Sequence, residues 1–471
     1  MNGFIQWLEK YIVPVAAKIG AQKHLVALRD AFIGTMPATM AGSIAVMINA
    51  IIRDLPPQFI GPSYVGGEIP VISQIITVNG YVWNGTLAIA GIIFAFSWGY
   101  NLAKAYGVND LAGGIVSLSA SIMGITFAFS SSITDIGTLP SDVVDAINQT
   151  TAQSGWSATA DTLNAGAWGW LPLNNLDANF FFTAMIMGFV SVVIFSKLML
   201  RDITIKMPDS VPPAVSKAFA AIIPATVALY VAAIFYWVFS LMVPDLTFLQ
   251  WIQKTIALPL LGLSQGYFAV ILVTLFVQIF WFFGIHGPNV LAPILEGVFG
   301  VAQLRNVNLF QEGGVENVIE NGYKWVRGSF DAFAWFGGSG GTIVLIIAIL
   351  WFSKRADYKA VGKLSLGPGI FNINEPIMFG LPIVLNALML IPFILAPVVS
   401  VSIGYWATYF GWVNPVSQQV VWVTPPFLLS FLATGGDWRA PIVTLVCVVV
   451  TFFIWAPFVI AANKVKPTDA E

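Results

Sequence analysis

A glutamate stands out in FNINEPIMFGLP, residues 371–382, where most other residues are apolar, Gly or Pro. Two amides, Asn372 and Asn374, lie close to Glu375 in the sequence. A carboxylate in an apolar segment is costly unless something uses it. Together with amides it suits the hydroxyls of a sugar, and it can serve as a general base. The alternative is that Glu375 pairs with a basic residue and only fixes the backbone. We favour the functional role, because ionisable groups in such segments are functional by default.

A histidine lies in a similar stretch, WFFGIHGPNVLAPI, residues 281–294. His286 is followed by Gly287, which permits close approach of the backbone, and by Pro288, which interrupts a helical ladder. One interpretation is a packed histidine that caps a helix end. The other is a histidine at a cavity that donates hydrogen bonds or exchanges a proton. We favour the second interpretation and assign Gly287 and Asn289 to the same binding site.

Tryptophans supply a further element of a sugar site, because an indole covers the apolar face of a pyranose while polar side chains bind its hydroxyls. Trp281 precedes His286 by five residues, and Trp422 lies in QQVVWVTPPF. The chain has 17 tryptophans, most of which must be packing or interface residues. Residue chemistry alone therefore does little to single out these two as candidates for sugar contact.

Basic residues could hold a phosphate or a partner protein. Arg439 follows Asp437 in TGGDWRAP. It could help to hold a phosphate or form a salt bridge with Asp437, and the salt bridge is slightly favoured. Lys354 and Arg355 belong to the basic segment SKRADYKAVGK, residues 353–363. This segment is most simply a cytoplasmic loop, and docking of an acidic or phosphorylated partner is the alternative.

The composition predicts a membrane protein. Of 471 residues, 57% are hydrophobic and only 9% are charged. An average soluble domain has roughly 25% charged residues. The mean hydropathy is +0.81. We therefore expect a protein of the lipid bilayer.

Several kinds of protein and site are excluded by what the sequence lacks. One cysteine, Cys447, rules out an intramolecular disulfide, and two histidines, His24 and His286, are too few for a His-rich metal site. We expect no metal, no cofactor and no nucleic-acid partner. The sequence has no phosphate-binding P-loop motif and no ladder of arginines, which argues against an ATPase and a voltage sensor.

Apolar runs predict an all-α polytopic fold with about ten transmembrane helices. Runs of spanning length lie at about 31–52, 84–103, 110–129, 180–200, 217–244, 266–284, 333–352, 383–411 and 440–462. Three more apolar segments are broken by Gly and Pro, at 284–300, 367–382 and 415–434. Such backbone is tolerated at membrane depth only where protein or a wet cavity covers it, and it often marks a transport site. We predict two or more re-entrant or broken hairpins.

Charged residues predict the orientation. Residues 105–196 contain neither Lys nor Arg but six aspartates, so the polar loop 130–178 is expected outside. Both termini are expected in the cytoplasm, and residues 1–20 are expected to form an amphipathic helix at the membrane surface. The broken segments all follow residue 245. We therefore predict a scaffold half with about five spans at 1–245, a transport half at 246–463 and a cytoplasmic tail at 464–471.

Five motifs in this order resemble the membrane IIC component of the lactose/cellobiose (N,N'-diacetylchitobiose) family of the bacterial phosphoenolpyruvate-dependent sugar phosphotransferase system. They are MPDSVPPAVSKAFAAIIPA at 207–225, FFGIHGPNVLAPI at 282–294, FGGSGGTIVL at 336–345, FNINEPIMFGLPIVLN at 371–386 and FLATGGDWRAP at 431–441. The resemblance covers nearly the whole chain.

The resemblance implies a homodimer in the bacterial cell membrane, with ten spans and two re-entrant hairpins per protomer and with the first half at the dimer interface. It also implies a permease that binds a β-linked disaccharide outside and carries it inward by an elevator-like movement. A separate IIB protein, itself charged through IIA, would then phosphorylate the sugar C6 hydroxyl from its own phosphocysteine. By motif match, Glu375 would contact that hydroxyl beside His286, and Trp281 and Trp422 would stack on sugar rings.

Two departures from the family pattern limit what can be transferred. Asn386 is followed by Ala387 where the family often has proline, and an additional substrate-contacting histidine has no counterpart, because His24 precedes the first span. A sugar transporter that works without phosphorylation, whether ion-coupled or facilitative, is the main alternative. A structural or receptor-like membrane protein is disfavoured, because the polar groups are concentrated in broken segments.

Overall fold

The computed structural model describes residues 22–463 except 55, 62, 135–137, 151–155, 160, 170, 172–175, 209, 382 and 384–385. The amphipathic helix expected at residues 1–20 and the expected tail at 464–471 lie outside the described residues. Within them the chain is mostly helical, as the apolar runs predict.

Among the described residues before 245, the chain forms eight α-helices and three strands. The helices are α1 Lys23–Asn49, α2 Pro56–Ile60, α3 Pro70–Asn84, α4 Ala90–Tyr106, α5 Asp110–Ile122, α6 Ser141–Thr150, α7 Phe181–Leu200 and α8 Pro213–Met242. The strands are β1 Ala128–Thr134, β2 Trp156–Ala158 and β3 Thr162–Trp168. Helix α4 packs against α1, α5 and α7, and α7 packs against α8.

The described residues after 245 form more α-helices, and most of them are shorter. They are α9 Phe248–Ile252, α10 Leu258–Ser264, α11 Tyr267–Phe282, α12 Gly287–Val290, α13 Ala292–Ile294, α14 Val301–Asn321, α15 Arg327–Phe333, α16 Thr342–Phe352, α17 Ala356–Ile370, α18 Glu375–Gly380, α19 Ala387–Tyr409, α20 Pro426–Ala433 and α21 Arg439–Ala462. Helix α21 packs against α16, α19 and α20, and α11 packs against α19. The short helices α12 and α13 contact α1, which joins the two parts of the chain.

Six helices in the described residues are long and apolar enough to cross a membrane. They are Lys23–Arg53, Pro70–Tyr106, Phe181–Leu200, Pro213–Met242, Leu388–Tyr409 and Arg439–Ala462. A seventh span results if Phe248–Ser264 and Tyr267–Phe282, bent by 77°, form one broken span. The helices Asp110–Ile122 and Thr342–Phe352 are apolar but shorter. The expected number of about ten spans is therefore not confirmed.

Glycines explain one of the shortened spans. The predicted run 333–352 becomes a helix only from Thr342 onward, because four glycines of the preceding FGGSGG motif have positive φ angles. Positive φ is incompatible with a right-handed helix, and glycine adopts it without steric cost. The backbone at 336–341 is consequently a compact loop in the interior.

A small antiparallel sheet departs from the all-α prediction. Strand β3 lies between β1 and β2, with Ala128 opposite Trp168 and Trp156 opposite Ala165. The predicted polar loop 130–178 thus contains strands and the helix α6. The segment is too polar to span a membrane, and pairing its extended strands satisfies backbone groups that an irregular loop would leave to water.

The three apolar segments that sequence analysis described as broken are broken in the structure. Residues 284–300 form the short helices α12 and α13 and a π-helical turn at Leu295–Gly300. Residues 367–382 include the end of α17 and all of α18, and the two helices are separated by a left-handed residue at Asn372. In 415–434 an irregular stretch precedes α20. The breaks bring polar backbone and side chains into the interior, where they surround a cavity.

Candidate functional site

A cavity of about 380 Å³ lies between the two predicted halves of the chain. Its wall includes Phe32, Thr35 and Met36 of α1 and Phe181 at the start of α7. Most of the remaining wall comes from the part after residue 245, including all three broken segments. A volume of this size is within the range of small-molecule sites, and apolar walls with a few polar groups are typical of them.

His286 lies on this wall at the start of α12. Its Nδ1 accepts a hydrogen bond of 3.2 Å from the backbone N–H of Asn289. A neutral ring in this arrangement has its proton on Nε2. Both Asn289 and His286 line the cavity, as expected. The histidine therefore combines the two roles that sequence analysis treated as alternatives, since it caps a helix and also faces the cavity.

Trp281 and Gly287 support His286 from behind and are not among the residues that line the cavity. Trp281 is 1% exposed, and its ring centroid lies 4.6 Å from that of His286. A Cβ atom at Gly287 would lie 2.1 Å from the carbonyl oxygen of Val277 on α11, so only glycine fits there. In this conformation, both residues hold the histidine in place.

Asn372 links its own broken segment, 367–382, to the glycine loop at 336–341 and to the broken segment 415–434. Its Oδ1 accepts a hydrogen bond of 2.8 Å from Gly337 N–H, and its Nδ2 donates to the carbonyl oxygens of Trp422 and Thr424 at 2.7 and 2.8 Å. Both amide hydrogens are therefore used within the protein. Asn372 borders the cavity but has little hydrogen-bonding capacity left for a ligand.

Asn374 and Glu375 form the adjacent part of the wall. The Nδ2 of Asn374 donates to the Ser339 carbonyl at 2.8 Å. A Cβ atom at Gly338 would lie 2.8 Å from that of Asn374, so the FGGSGG loop must be glycine-rich to pack here. Glu375 is the first residue of α18, and its side chain is exposed in the cavity.

Glu375 is not held by an ion pair with any Lys or Arg in the described residues, where the paired cations have other partners. It is close enough to His286 for their charges to interact. The alternative of a structural salt bridge is thus not found in this part of the chain. The carboxylate is available to a ligand in the cavity that His286 also lines.

Trp422 lines the cavity and is 38% exposed. The open face of its indole ring can stack on the apolar face of a bound molecule. Gln419, three residues earlier, also lines the cavity. The irregular backbone before α20 places both side chains there.

The three predicted basic contacts lie away from the cavity wall. Arg439 forms the salt bridge with Asp437, at 2.8 and 2.9 Å, and also donates to Asn414 at 3.2 Å. Lys354 and Arg355 lie in the connection between α16 and α17. The guanidinium of Arg355 lies 4.2 Å from the Tyr358 ring centroid and donates to Asp357 at 3.1 Å.

A charged cluster on the cavity wall was not found by sequence analysis. Arg327 donates to Glu296 at 2.9 Å and to Asp331 at 2.8 Å, and its guanidinium lies 4.9 Å from the Trp335 ring centroid. All four side chains line the cavity. The sequence feature that could have revealed the cluster is the presence of three ionisable residues near or within apolar segments. Such residues rarely occur there without a function.

The arrangement suits recognition of a polar, uncharged molecule with apolar faces. Glu375 can accept a hydroxyl proton, His286 can donate from Nε2, and Trp422 can cover a ring face. Positioning and electrostatics dominate catalysis of phosphoryl transfer, so a carboxylate beside a held hydroxyl would suffice as the base.

Comparison with known families identifies the chain. Residues 29–397 match the family model for the phosphotransferase system, EIIC. The chain is 49% identical to the cellobiose-specific EIIC component of the phosphotransferase system from Lactococcus lactis, over all of both sequences. It is 29% identical to the oligo-beta-mannoside-specific EIIC component from Bacillus subtilis, over 98% of this chain and 94% of that one.

A solved structure also matches over nearly its full length. It is the crystal structure of the transporter ChbC, the IIC component of the N,N'-diacetylchitobiose-specific phosphotransferase system. The TM-score is 0.81 at 30% identity, covering 97% of this chain and 98% of that chain. The resemblance drawn from the five motifs is confirmed.

Proposed function

Because the chain belongs to the EIIC family of the phosphotransferase system, a family of membrane sugar permeases, we propose that it transports a β-linked disaccharide of the cellobiose type. The similarity to a cellobiose-specific EIIC component supports this choice of sugar. The observation that carries the proposal is the cavity, where Glu375 has no Lys or Arg partner in the described residues and lines the same wall as His286 and Trp422.

The chemical step begins with the sugar C6 hydroxyl at Glu375. The hydroxyl oxygen attacks the phosphorus of phosphocysteine on IIB, the new O–P bond forms and the S–P bond breaks. The cysteine thiolate leaves, and the hydroxyl proton passes to Glu375. His286 donates from Nε2 to a sugar oxygen and orients it. The permease itself is not phosphorylated in this scheme.

The position of the cavity between the two predicted halves supports a transport mechanism in which the halves move. Residues 246–463 would carry the sugar inward by an elevator-like movement against residues 1–245, which would also form the homodimer interface. The chain would lie in the cell membrane with both termini in the cytoplasm. Lys354 and Arg355, between α16 and α17, are the proposed basic contacts for IIB, and Lys354 is the better candidate because Arg355 already pairs with Asp357. Arg439 is a weaker candidate for the same reason, because Asp437 already pairs with it.

Sugar binding by the purified protein tests the proposal. Calorimetry with cellobiose, lactose, diacetylchitobiose, maltose and glucose should give saturable binding that is tightest for cellobiose. Glu375→Ala should weaken cellobiose binding at least about tenfold, since a hydrogen bond to a charged group is lost. Glu320→Ala, at an exposed position of α14, is the matched control and should bind as the wild type does.

The result separates the alternatives. Binding of no β-linked disaccharide, or binding that Glu375→Ala leaves unchanged, would contradict the proposed site. Binding and transport of cellobiose without any sugar phosphate, in the presence of phosphorylated IIB, would support a transporter that works without phosphorylation.

A further inference from the structure

Asn372 has a backbone conformation that residues other than glycine rarely adopt. Its φ angle is 61°, and Asp202 is the other non-glycine residue with a positive φ in the described part of the chain. Asn372 follows the end of α17, and its N–H donates to the Gly369 carbonyl at 3.1 Å. Glycine suits such a position after a helix better than any other residue. The turn alone therefore does not explain an asparagine here, and the explanation lies in the contacts of its side chain.

The side chain of Asn372 fixes the turn that carries Trp422. The N–H of Thr424 donates to the Val421 carbonyl at 2.9 Å, which closes a four-residue turn with Trp422 as its second residue. Asn372 donates one amide hydrogen to the Trp422 carbonyl and the other to the Thr424 carbonyl. In the described residues, no other hydrogen bond joins these two broken segments. The asparagine is thus the polar link between them.

The same side chain is attached close to Glu375. The Oδ1 of Asn372 accepts from Gly337 N–H in the glycine loop at 2.8 Å. A second hydrogen bond, from the side chain of Asn374, attaches the residue directly before Glu375 to the same loop. Glu375 and Trp422 both line the cavity. Asn372 therefore connects the backbone near the proposed base to the backbone of the proposed stacking residue.

Asn372 itself offers little to a sugar. The residue is 6% exposed, and its side chain uses both amide hydrogens and one acceptor position within the protein. Any effect of Asn372 on the reaction then passes through the residues that it holds. A displacement of about 1 Å between reacting groups can slow a reaction by about 10²-fold. Stacking of a ring tolerates small offsets, so a fixed position of the ring matters more for phosphoryl transfer than for sugar binding.

We propose that Asn372 is a positioning residue for phosphorylation, which holds the indole of Trp422 in register with Glu375 so that the sugar hydroxyl reaches the carboxylate. This inference rests on the proposed function, because it takes Glu375 as the base and Trp422 as the stacking residue. An amide that the sequence assigns to sugar binding thus acts through the backbone of other residues of the site.

Glycine at position 372 tests this role, because Asn372→Gly keeps the positive φ and deletes the side-chain hydrogen bonds. Calorimetry measures cellobiose binding, and single-turnover formation of sugar phosphate with phospho-IIB measures the chemical step. We expect binding to weaken less than about tenfold and phosphorylation at saturating cellobiose to slow by about 10²-fold. An unchanged number of binding sites per protein shows that the variant is folded.

The matched control is Asp202→Gly, which places glycine at the other position with a positive φ. Asp202 is exposed and does not line the cavity, so this variant should bind and phosphorylate cellobiose as the wild type does. Asn372→Asp is a second variant for the case in which Asn372→Gly does not fold. It keeps the size of the side chain but has no N–H for the two carbonyls, and it should slow phosphorylation by at least as much.

A double-mutant cycle separates positioning from a general loss of structure. In a Trp422→Ala background, Asn372→Gly should slow phosphorylation by less than about threefold, because the ring that Asn372 holds is gone. The same loss with and without Trp422 would overturn the proposal. Equal losses of binding and phosphorylation, or a wild-type rate in the folded variant, would also overturn it. Absence of sugar phosphate with the wild type would instead contradict the proposed function, and with it the reaction that Asn372 is proposed to assist.

Discussion

A variant of Glu375 can distinguish its part in sugar binding from its part in phosphorylation. The variant Glu375→Gln keeps the size of the side chain and its ability to accept a hydrogen bond, but it cannot take a proton. We expect cellobiose to bind within a few fold of the wild type, whereas phosphorylation by phospho-IIB should slow by about 10²- to 10⁴-fold, the usual contribution of a general base. Single-turnover formation of sugar phosphate measures the effect.

The control for this prediction is Glu320→Gln, which changes the same charge on an exposed face of α14 and should phosphorylate at the wild-type rate. A Glu375→Gln variant that phosphorylates cellobiose as fast as this control would exclude Glu375 as the base. His286 would then be the group to examine, because it lines the same cavity as Glu375.

The sequence shows which residues carry a charge in an apolar segment, but it does not show which groups their side chains contact. Glu375 and His286 were found because ionisable groups are rare in apolar segments. Asn372 is a candidate for sugar binding because it lies three residues from Glu375 in the sequence. In the structure its amide hydrogens instead bond the carbonyl oxygens of Trp422 and Thr424, 50 and 52 residues away in sequence. An amide side chain suits a backbone carbonyl as well as a sugar hydroxyl, so only the fold decides between them.

At the scale of elements, one contact joins the segment before α7 to α14. Asp177, four residues before the span that starts at Phe181, accepts hydrogen bonds from Asn308 on α14 and from the backbone N–H of Asn179. Arg305, also on α14, is the charged group that faces it. Burial outweighs these favourable contacts and raises the pKa of Asp177 to about 6.

A raised pKa in the folded state makes this contact sensitive to pH. The folded protein favours protonated Asp177, so its contribution to stability is complete below about pH 4 and is lost as the pH rises through about 6. Between pH 4 and pH 7 the wild type should lose on the order of 2 kcal/mol relative to Asp177→Asn. Thermal unfolding of the two proteins across this range measures the difference.

The exposed variant Glu320→Gln serves again as the control and should follow the wild type at every pH. Parallel stability curves for the wild type and Asp177→Asn would show that Asp177 has an ordinary pKa, and hence that water reaches it. The prediction concerns the slope with pH, because the new amide also changes the hydrogen bond with Asn308 at all pH values.

Elements were predictable from the sequence where the apolar pattern is continuous and not where it is broken. The helices α7 and α21 lie close to the predicted runs 180–200 and 440–462. The three breaks are visible in the sequence as Gly and Pro, but the sequence does not predict that Glu296, in the first of them, pairs with Arg327, 31 residues further along the chain. The strands β1 and β3 are not predicted, because a segment rich in Ser, Thr and Asn is typical of a loop. The strands are stabilised by pairing with each other, which the local sequence does not show.

At the scale of the whole molecule, the cavity has walls from both predicted halves. An elevator-like movement requires these walls to separate, so any covalent link between the halves should stop transport. The pair Asp177 and Asn308 is suited to such a link, because the two side chains are in hydrogen-bond contact and belong to opposite halves. The single cysteine, Cys447, is fully buried and can be replaced to leave a cysteine-free background.

We therefore expect Asp177→Cys with Asn308→Cys, in a Cys447→Ala background, to take up cellobiose until a short bifunctional thiol reagent joins the two introduced thiols. Uptake into vesicles should then stop, and reductive cleavage of the link should restore it. The matched control is Ser353→Cys with Asn463→Cys, whose side chains lie 3.4 Å apart in the wild type within the second half. A link there leaves the halves free to move, so uptake should continue. Continued uptake with the link between positions 177 and 308 fully formed would mean that the sugar crosses without relative movement of the halves at this contact, and that only smaller movements around the cavity are needed.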